Sequence, residues 1–158
     1  KPTGRPYNGE EQTKFLTNYL DSPNEPLYPF GYGMSYTTFT YEEMKLSSSK
    51  MSGNGTLTAS VKVNNVGKVA GEEVVQLYIS DPVASISRPV RELKGFQKIM
   101  LKPGESKVVS FSITPELLKF YNHELKYDWE PGEFKIGIGG NSRDVKETMV
   151  TWEKTVKP

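Results

Sequence analysis

The sequence has no cysteine and a single histidine, His123, in 158 residues. Without thiols there is no disulfide framework, no thiolate nucleophile and no cysteine-held zinc. An excess of charge of one sign is also missing: 20 Lys and Arg stand against 19 Asp and Glu, for a net charge of +1. That excludes the basic stripe that follows a phosphate backbone, so no nucleic acid is expected as a partner. No run approaches the roughly 18 apolar residues of a spanning helix, so no membrane is expected either. The chain opens on Lys1-Pro2-Thr3, with no initiator Met and no visible signal peptide, and reads as a piece of something longer. The absence of cysteine fits cytoplasm and periplasm alike and fixes no compartment.

What is present suffices for one domain and an extra arm. Hydrophobic residues make up 35% of the chain, and nine Tyr and two Trp add amphipathic bulk suited to a partner. Residues 1–38 hold Pro2, Pro6, Pro23, Pro26 and Pro29 together with Gly4, Gly9, Gly31 and Gly33. Proline removes backbone donors and fixes φ, so this stretch is neither sheet nor long helix. One or two helical turns over Glu10 to Leu20 are the most it can form. It reads as an extended arm.

From Phe39 the pattern alternates. Leu57, Ala59, Val61 and Val63 interleave with Thr58, Ser60 and Lys62, and the same period recurs at Val75-Leu77-Ile79, Val109-Phe111-Ile113 and Phe134-Ile136-Ile138. A period of two buries one face of an antiparallel strand and wets the other. Strands are expected over 39–47, 56–65, 72–81, 92–101, 106–114, 133–139 and 145–153. The breaks carry turn chemistry: Gly53-Asn54-Gly55, Asn65-Val66-Gly67, and Pro-Gly turns at Pro103-Gly104 and Pro131-Gly132, with Pro presetting φ and Gly supplying positive φ. Pro115 to Phe120 suits a short helix opened by proline. Seven short strands predict an all-β, two-sheet sandwich of immunoglobulin or fibronectin type III kind over 39–158, and the missing Cys–Trp–Cys signature favours the latter.

Five segments, in order, carry a family resemblance: Pro26-Leu27-Tyr28-Pro29-Phe30-Gly31-Tyr32-Gly33-Met34-Ser35-Tyr36-Thr37, Val63-Asn64-Asn65-Val66-Gly67, Gly71 to Tyr78, Arg88-Pro89-Val90-Arg91-Glu92-Leu93-Lys94-Gly95-Phe96 and Leu101-Lys102-Pro103-Gly104-Glu105. Together they resemble the C-terminal fibronectin type III-like domain of family 3 glycoside hydrolases, chiefly β-glucosidases; Met34 stands where that pattern usually has Leu. The resemblance implies a parent with a barrel, an α/β sandwich and this domain, both catalytic carboxylates lying upstream of Lys1. It implies no catalytic residue and no cofactor here. It makes residues 1–38 the exit and linker from the preceding α/β domain, and the upstream catalytic domains the partners. The parent substrate would be a β-glucoside or oligosaccharide, with terminal glucose or xylose released. The compartment it suggests is periplasmic or secreted.

Glycoside hydrolysis needs two carboxyl groups roughly 5–10 Å apart, one with a raised pKa. Glu72 and Glu73 are strand neighbours and diverge, and Asp128 and Glu130 flank a turn, so neither pair fits. His123 reads as a surface-loop residue. Gly137-Ile138-Gly139-Gly140 lacks the following helix that a phosphate loop requires. Trp129 reads as covering one end of the core. The aromatics Tyr28, Phe30, Tyr32, Tyr36, Phe39 and Tyr41 form either a sugar-stacking platform or an interdomain interface, and their place in the arm favours the interface. Arg88 and Arg91 read equally well as interface forks or as a solvated loop beside an edge strand. The expected interdomain set is Tyr28, Phe30, Tyr32, Tyr36, Arg88 and Arg91. The alternative role, a carbohydrate-binding module, needs aromatics on an outer sheet face, where Tyr78 is the exception among polar residues.

Overall fold

A computed structural model describes residues 25–154. The helical turns expected within Glu10 to Leu20 lie outside the described residues. Two sheets enclose one core. The first holds β4 (Leu57–Asn65) between β7 (Ser106–Ile113) on one side and β1 (Phe39–Tyr41) and β2 (Lys45–Leu46) on the other. The second runs β3 (Lys50–Ser52), β11 (Val145–Glu153), β10 (Gly132–Gly139), β5 (Gly71–Ser80) and β6 (Glu92–Leu101). A two-stranded ribbon, β8 (Phe120–Tyr121) with β9 (Tyr127–Asp128), follows a 3-10 turn at Pro115–Leu118.

The alternating residues meet between the sheets as the period demands. Leu57, Ala59, Val61 and Val63 of β4 are buried, as are Val75, Leu77 and Ile79 of β5, Phe111 and Ile113 of β7, and Phe134, Ile136 and Ile138 of β10. Trp152 is the largest fully buried side chain; its Nε1 donates to the Gly53 carbonyl at 3.0 Å, and its ring meets that of Trp129 edge-on at 6.3 Å. The Lys102–Glu105 turn has the expected chemistry, with Gly104 at φ 74° and the Glu105 amide donating to Lys102 O at 3.0 Å.

Four details differ from the pattern reading. The strand expected over 39–47 is broken. Between the pairs Tyr41↔Val63 and Lys45↔Ser60 it advances four residues while β4 advances three, so one extra residue bulges the edge. The chain then changes sheets, and β3 pairs with β11 in parallel, where antiparallel strands were expected throughout. Ser48 makes the crossing: its hydroxyl accepts from Lys50 N at 3.1 Å and donates to Lys50 O at 2.6 Å. Gly132 supplies no positive φ. It opens β10, paired with Trp152. The helix expected after Pro115 tightens to one 3-10 turn, because Lys119 is already extended (φ −65°, ψ 146°) and leads into β8.

Candidate interdomain surface

Alternation turns Gln76 and Tyr78 of β5 away from the core, yet they are only 5% and 2% exposed. The arm covers them. Gln76 Nε2 donates to Gly31 O at 3.0 Å and to Gly140 O at 2.6 Å, and its Oε1 accepts the Tyr78 hydroxyl at 2.5 Å. Ser142 N donates to Phe30 O at 2.8 Å. Gly31 sits at φ 80°, and a Cβ there would collide with the Gln76 carboxamide, so both backbone shape and space demand glycine. Tyr78, the outward aromatic noted in the sequence, therefore lies beneath the arm and offers no face for a sugar.

A second buried amide fixes the arm further along. Asn65 is 1% exposed. Its Nδ2 donates to Val69 O at 2.9 Å and Leu101 O at 3.0 Å, and its Oδ1 accepts from Thr37 Oγ1 at 2.6 Å and Gly67 N at 3.0 Å. All four of its side-chain bonds are made. Val66 N donates to Thr38 O at 2.9 Å beside it. In the sequence Asn65 reads as turn punctuation and Gln76 as an outward polar residue of its strand. Their only signal was a carboxamide next to, or within, a strand of otherwise apolar periodicity.

The arm holds its backbone and the Thr37 hydroxyl against the sheet while leaving its larger side chains outside. Tyr28, Phe30, Met34 and Tyr36 are exposed, and Tyr28 packs on Tyr32 with ring centroids 4.8 Å apart. Across from them β6 presents Phe96, 67% exposed, and Leu93. A groove of about 750 Å³ runs between arm and sheet, bordered by Phe30, Tyr32, Met34, Glu73, Phe96 and Asp144. Contiguous exposed apolar groups of this kind mark an interaction surface.

The arginines of the expected set divide. Arg91 joins the arm's neighbourhood: Nη1 donates to Ser142 O at 2.5 Å and Nη2 meets Glu147 at 2.7 Å. Arg88 turns inward. Its guanidinium lies 4.2 Å from the centre of the Phe120 ring, with Nη2 2.8 Å from Glu92, and its Nε is buried without a hydrogen-bond partner.

The carboxylates have other occupations. Glu72 pairs with Lys98 at 2.6 Å. Asp128 is held below its usual range by the Lys154 ammonium at 2.6 Å and the Trp129 amide. Glu130 is held down by the hydroxyl and amide of Ser85. Glu73 is pushed up by burial, and its contact is the Tyr41 hydroxyl, which donates to Oε1 at 2.7 Å. A glycosidase acid needs a second carboxylate facing it across the sugar, and Glu73 faces a phenol. His123 is exposed, 3.9 Å from Glu124. Gly137 and Gly139 lie within β10, and the following turn is closed by Asn141 Oδ1, which accepts from the amides of Arg143 and Asp144 at 2.9 Å each; β11 follows, not a helix. Among the described residues no group of three or more acidic or histidine side chains could hold a metal ion.

Comparison with known proteins supplies the family. Residues 73–142 match the fibronectin type III-like domain model. The chain is 57% identical over 145 residues to the periplasmic β-glucosidase of Salmonella typhimurium, covering 92% of this chain and 19% of that protein. It is 50% identical over 131 residues to β-glucosidase BoGH3A of Bacteroides ovatus, covering 82% and 17%. The chain is a fibronectin type III-like domain of family 3 glycoside hydrolases. The fold agrees: a Listeria innocua β-glucosidase solved with glucose superposes with a TM-score of 0.83 at 43% identity, over 99% of this chain and 22% of that one. This fibronectin type III-like domain thus spans about a fifth of the length of the relatives it matches.

Proposed function

We propose that this domain is the non-catalytic C-terminal accessory part of a periplasmic or secreted β-glucosidase, and that it buries apolar surface of the catalytic domains and fixes their orientation. In this reading residues 1–38 are the linker from the preceding α/β domain, and 39–158 the sandwich. The parent releases terminal β-linked glucose, or xylose, by a retaining two-carboxylate reaction whose groups lie upstream. The observation that carries the reading is the arm: its backbone is pinned to β5 and its Thr37 hydroxyl to Asn65, while Tyr28, Phe30 and Tyr36 stay exposed. Aromatics on a preordered backbone lose little entropy on docking and dominate desolvated interface centres. Tyr32 and Arg91 border the same region and belong to the proposed interface. Arg88 contributes from behind, by seating the loop that carries Arg91. Misplacement of about 1 Å at a two-carboxylate site costs about a hundredfold in rate, so a domain remote from the chemistry still governs it. The test is to change Tyr28, Phe30 and Tyr36 together to Ser in the full-length parent. The expected result is loss of a single cooperative unfolding transition and a fall in kcat. Unchanged melting and unchanged kcat would refute the reading.

A further inference from the structure

The groove between arm and sheet has an unbalanced lining. Three carboxylates border it, Glu72, Glu73 and Asp144, and no lysine, arginine or histidine does. Glu72 is answered by Lys98 from β6. Asp144 receives the Asn141 amide at 3.0 Å, and Glu73 receives the Tyr41 hydroxyl at 2.7 Å; among the described residues neither has a cation within salt-bridge distance. The nearby arginines are engaged elsewhere, Arg143 with Pro26 O at 3.0 Å and Arg91 with Glu147 and Ser142 O. The walls are aromatic, with Phe30 and Phe96 each 67% exposed.

A half-buried carboxyl with only neutral partners, beside open aromatic faces, is the chemistry that receives a cation. The ring quadrupoles attract positive charge, and the carboxylates supply the fork. Arginine suits this better than lysine, because a planar guanidinium stacks on the rings while pairing with a carboxylate, and is more weakly hydrated than an ammonium. We infer that the groove is a receptor for an arginine side chain, flanked by apolar residues, carried by the upstream domains of the parent polypeptide. This rests on the interdomain role of the arm and names the chemistry of what docks there. Arginine in the groove would also give Glu73 the counter-charge that its own fold withholds, so docking would hold its carboxylate ionised.

Two measurements separate this inference from the reading it rests on. The 158-residue chain is titrated, with NMR detection, with the peptide acetyl-Leu-Arg-Leu-amide up to about 50 mM, in parallel with the same peptide carrying citrulline, which keeps the planar shape but replaces the charged guanidinium by a neutral urea with fewer N–H donors. Saturable shifts at the amides of Glu73, Asp144 and Phe96 are expected, about fivefold or more weaker for the citrulline peptide. Glu73→Gln should remove most of that preference. Equal binding of both peptides, or no binding of either, would overturn the inference. Hydroxyl-radical footprinting of the full-length parent then addresses the interface itself: Met34 and Phe96 protected, with no arginine preference, would leave the interdomain role standing and the arginine receptor refuted. Met34 and Phe96 fully reactive in the parent would remove both.

Discussion

Replacing Asn65 by Ala tests how far one buried carboxamide holds the arm, the β4–β5 connection and the β6–β7 turn together. The substitution deletes two N–H donors and one oxygen that accepts two bonds. The bond to Leu101 O is buried, and stranding that carbonyl costs about 1–3 kcal/mol. The groups at Thr37, Gly67 and Val69 are partly open, so water recovers most of their loss, leaving about 0.5 kcal/mol each. The total is about 3 kcal/mol, a large share of the 5–15 kcal/mol typical of a domain but not enough to unfold it. For a folded region of this size it lowers Tm by about 10 °C. Urea unfolding, followed by the fluorescence of buried Trp129 and Trp152, reads the change directly. Asn65→Asp sharpens the test. At neutral pH its carboxylate would face the Val69 and Leu101 carbonyls, so it should be worse than Ala. That environment raises the pKa of the new carboxyl in the folded state. The variant should therefore regain stability relative to wild type as pH falls toward about 4, where protonation restores one donor. A loss below about 1 kcal/mol for Asn65→Ala, or an Asp variant equal to Ala at neutral pH, would refute the reasoning.

Other outcomes follow from the same geometry. Glu73 is raised by burial, so the stability it contributes is present below the unfolded glutamate pKa and is lost as pH rises through the folded value; Glu73→Gln, which still accepts the Tyr41 hydroxyl, should stabilise the chain near pH 7 and change little near pH 3 in paired urea titrations. Trp152→Phe removes the bond to Gly53 O and the edge contact with Trp129, and should cost about 2–3 kcal/mol with loss of near-ultraviolet circular dichroism. Gly31→Ala forces a side chain into Gln76 at a positive φ; hydrogen exchange should quicken at Ser142, whose amide is held by Phe30 O, while β4 and β10 keep their protection.

The long strands were legible because a period of two survives wherever one face is buried and the other wet. Leu57 to Val63 and Phe134 to Ile138 state it openly. The break after Tyr41 was not legible, because an extra residue at an edge changes register without changing composition, and Glu42-Glu43 is compatible with strand or bulge. The parallel pairing of β3 with β11 joins segments about a hundred residues apart, and nothing in Lys50-Met51-Ser52 names a partner. The arm showed its aromatics and glycines but not its seat: Gln76 and Tyr78 look like the wet face of β5, and only the folded chain reveals that a segment 45 residues upstream covers them. Arg91 looked much like Arg88 in sequence. The difference arises from Phe120, which sits within reach of one guanidinium.

The pairing of β3 with β11 also sets an order of events. β3 precedes almost the whole sandwich, yet its sheet partner is the last strand among the described residues, Val145–Glu153. During synthesis the second sheet therefore stays open, with Met51 uncovered, until β11 has emerged from the ribosome and Trp152 closes over the Gly53 turn. A chain cut short before that point keeps its alternating strands but has no way to seal them. Completion of the second sheet thus depends on translation through Glu153.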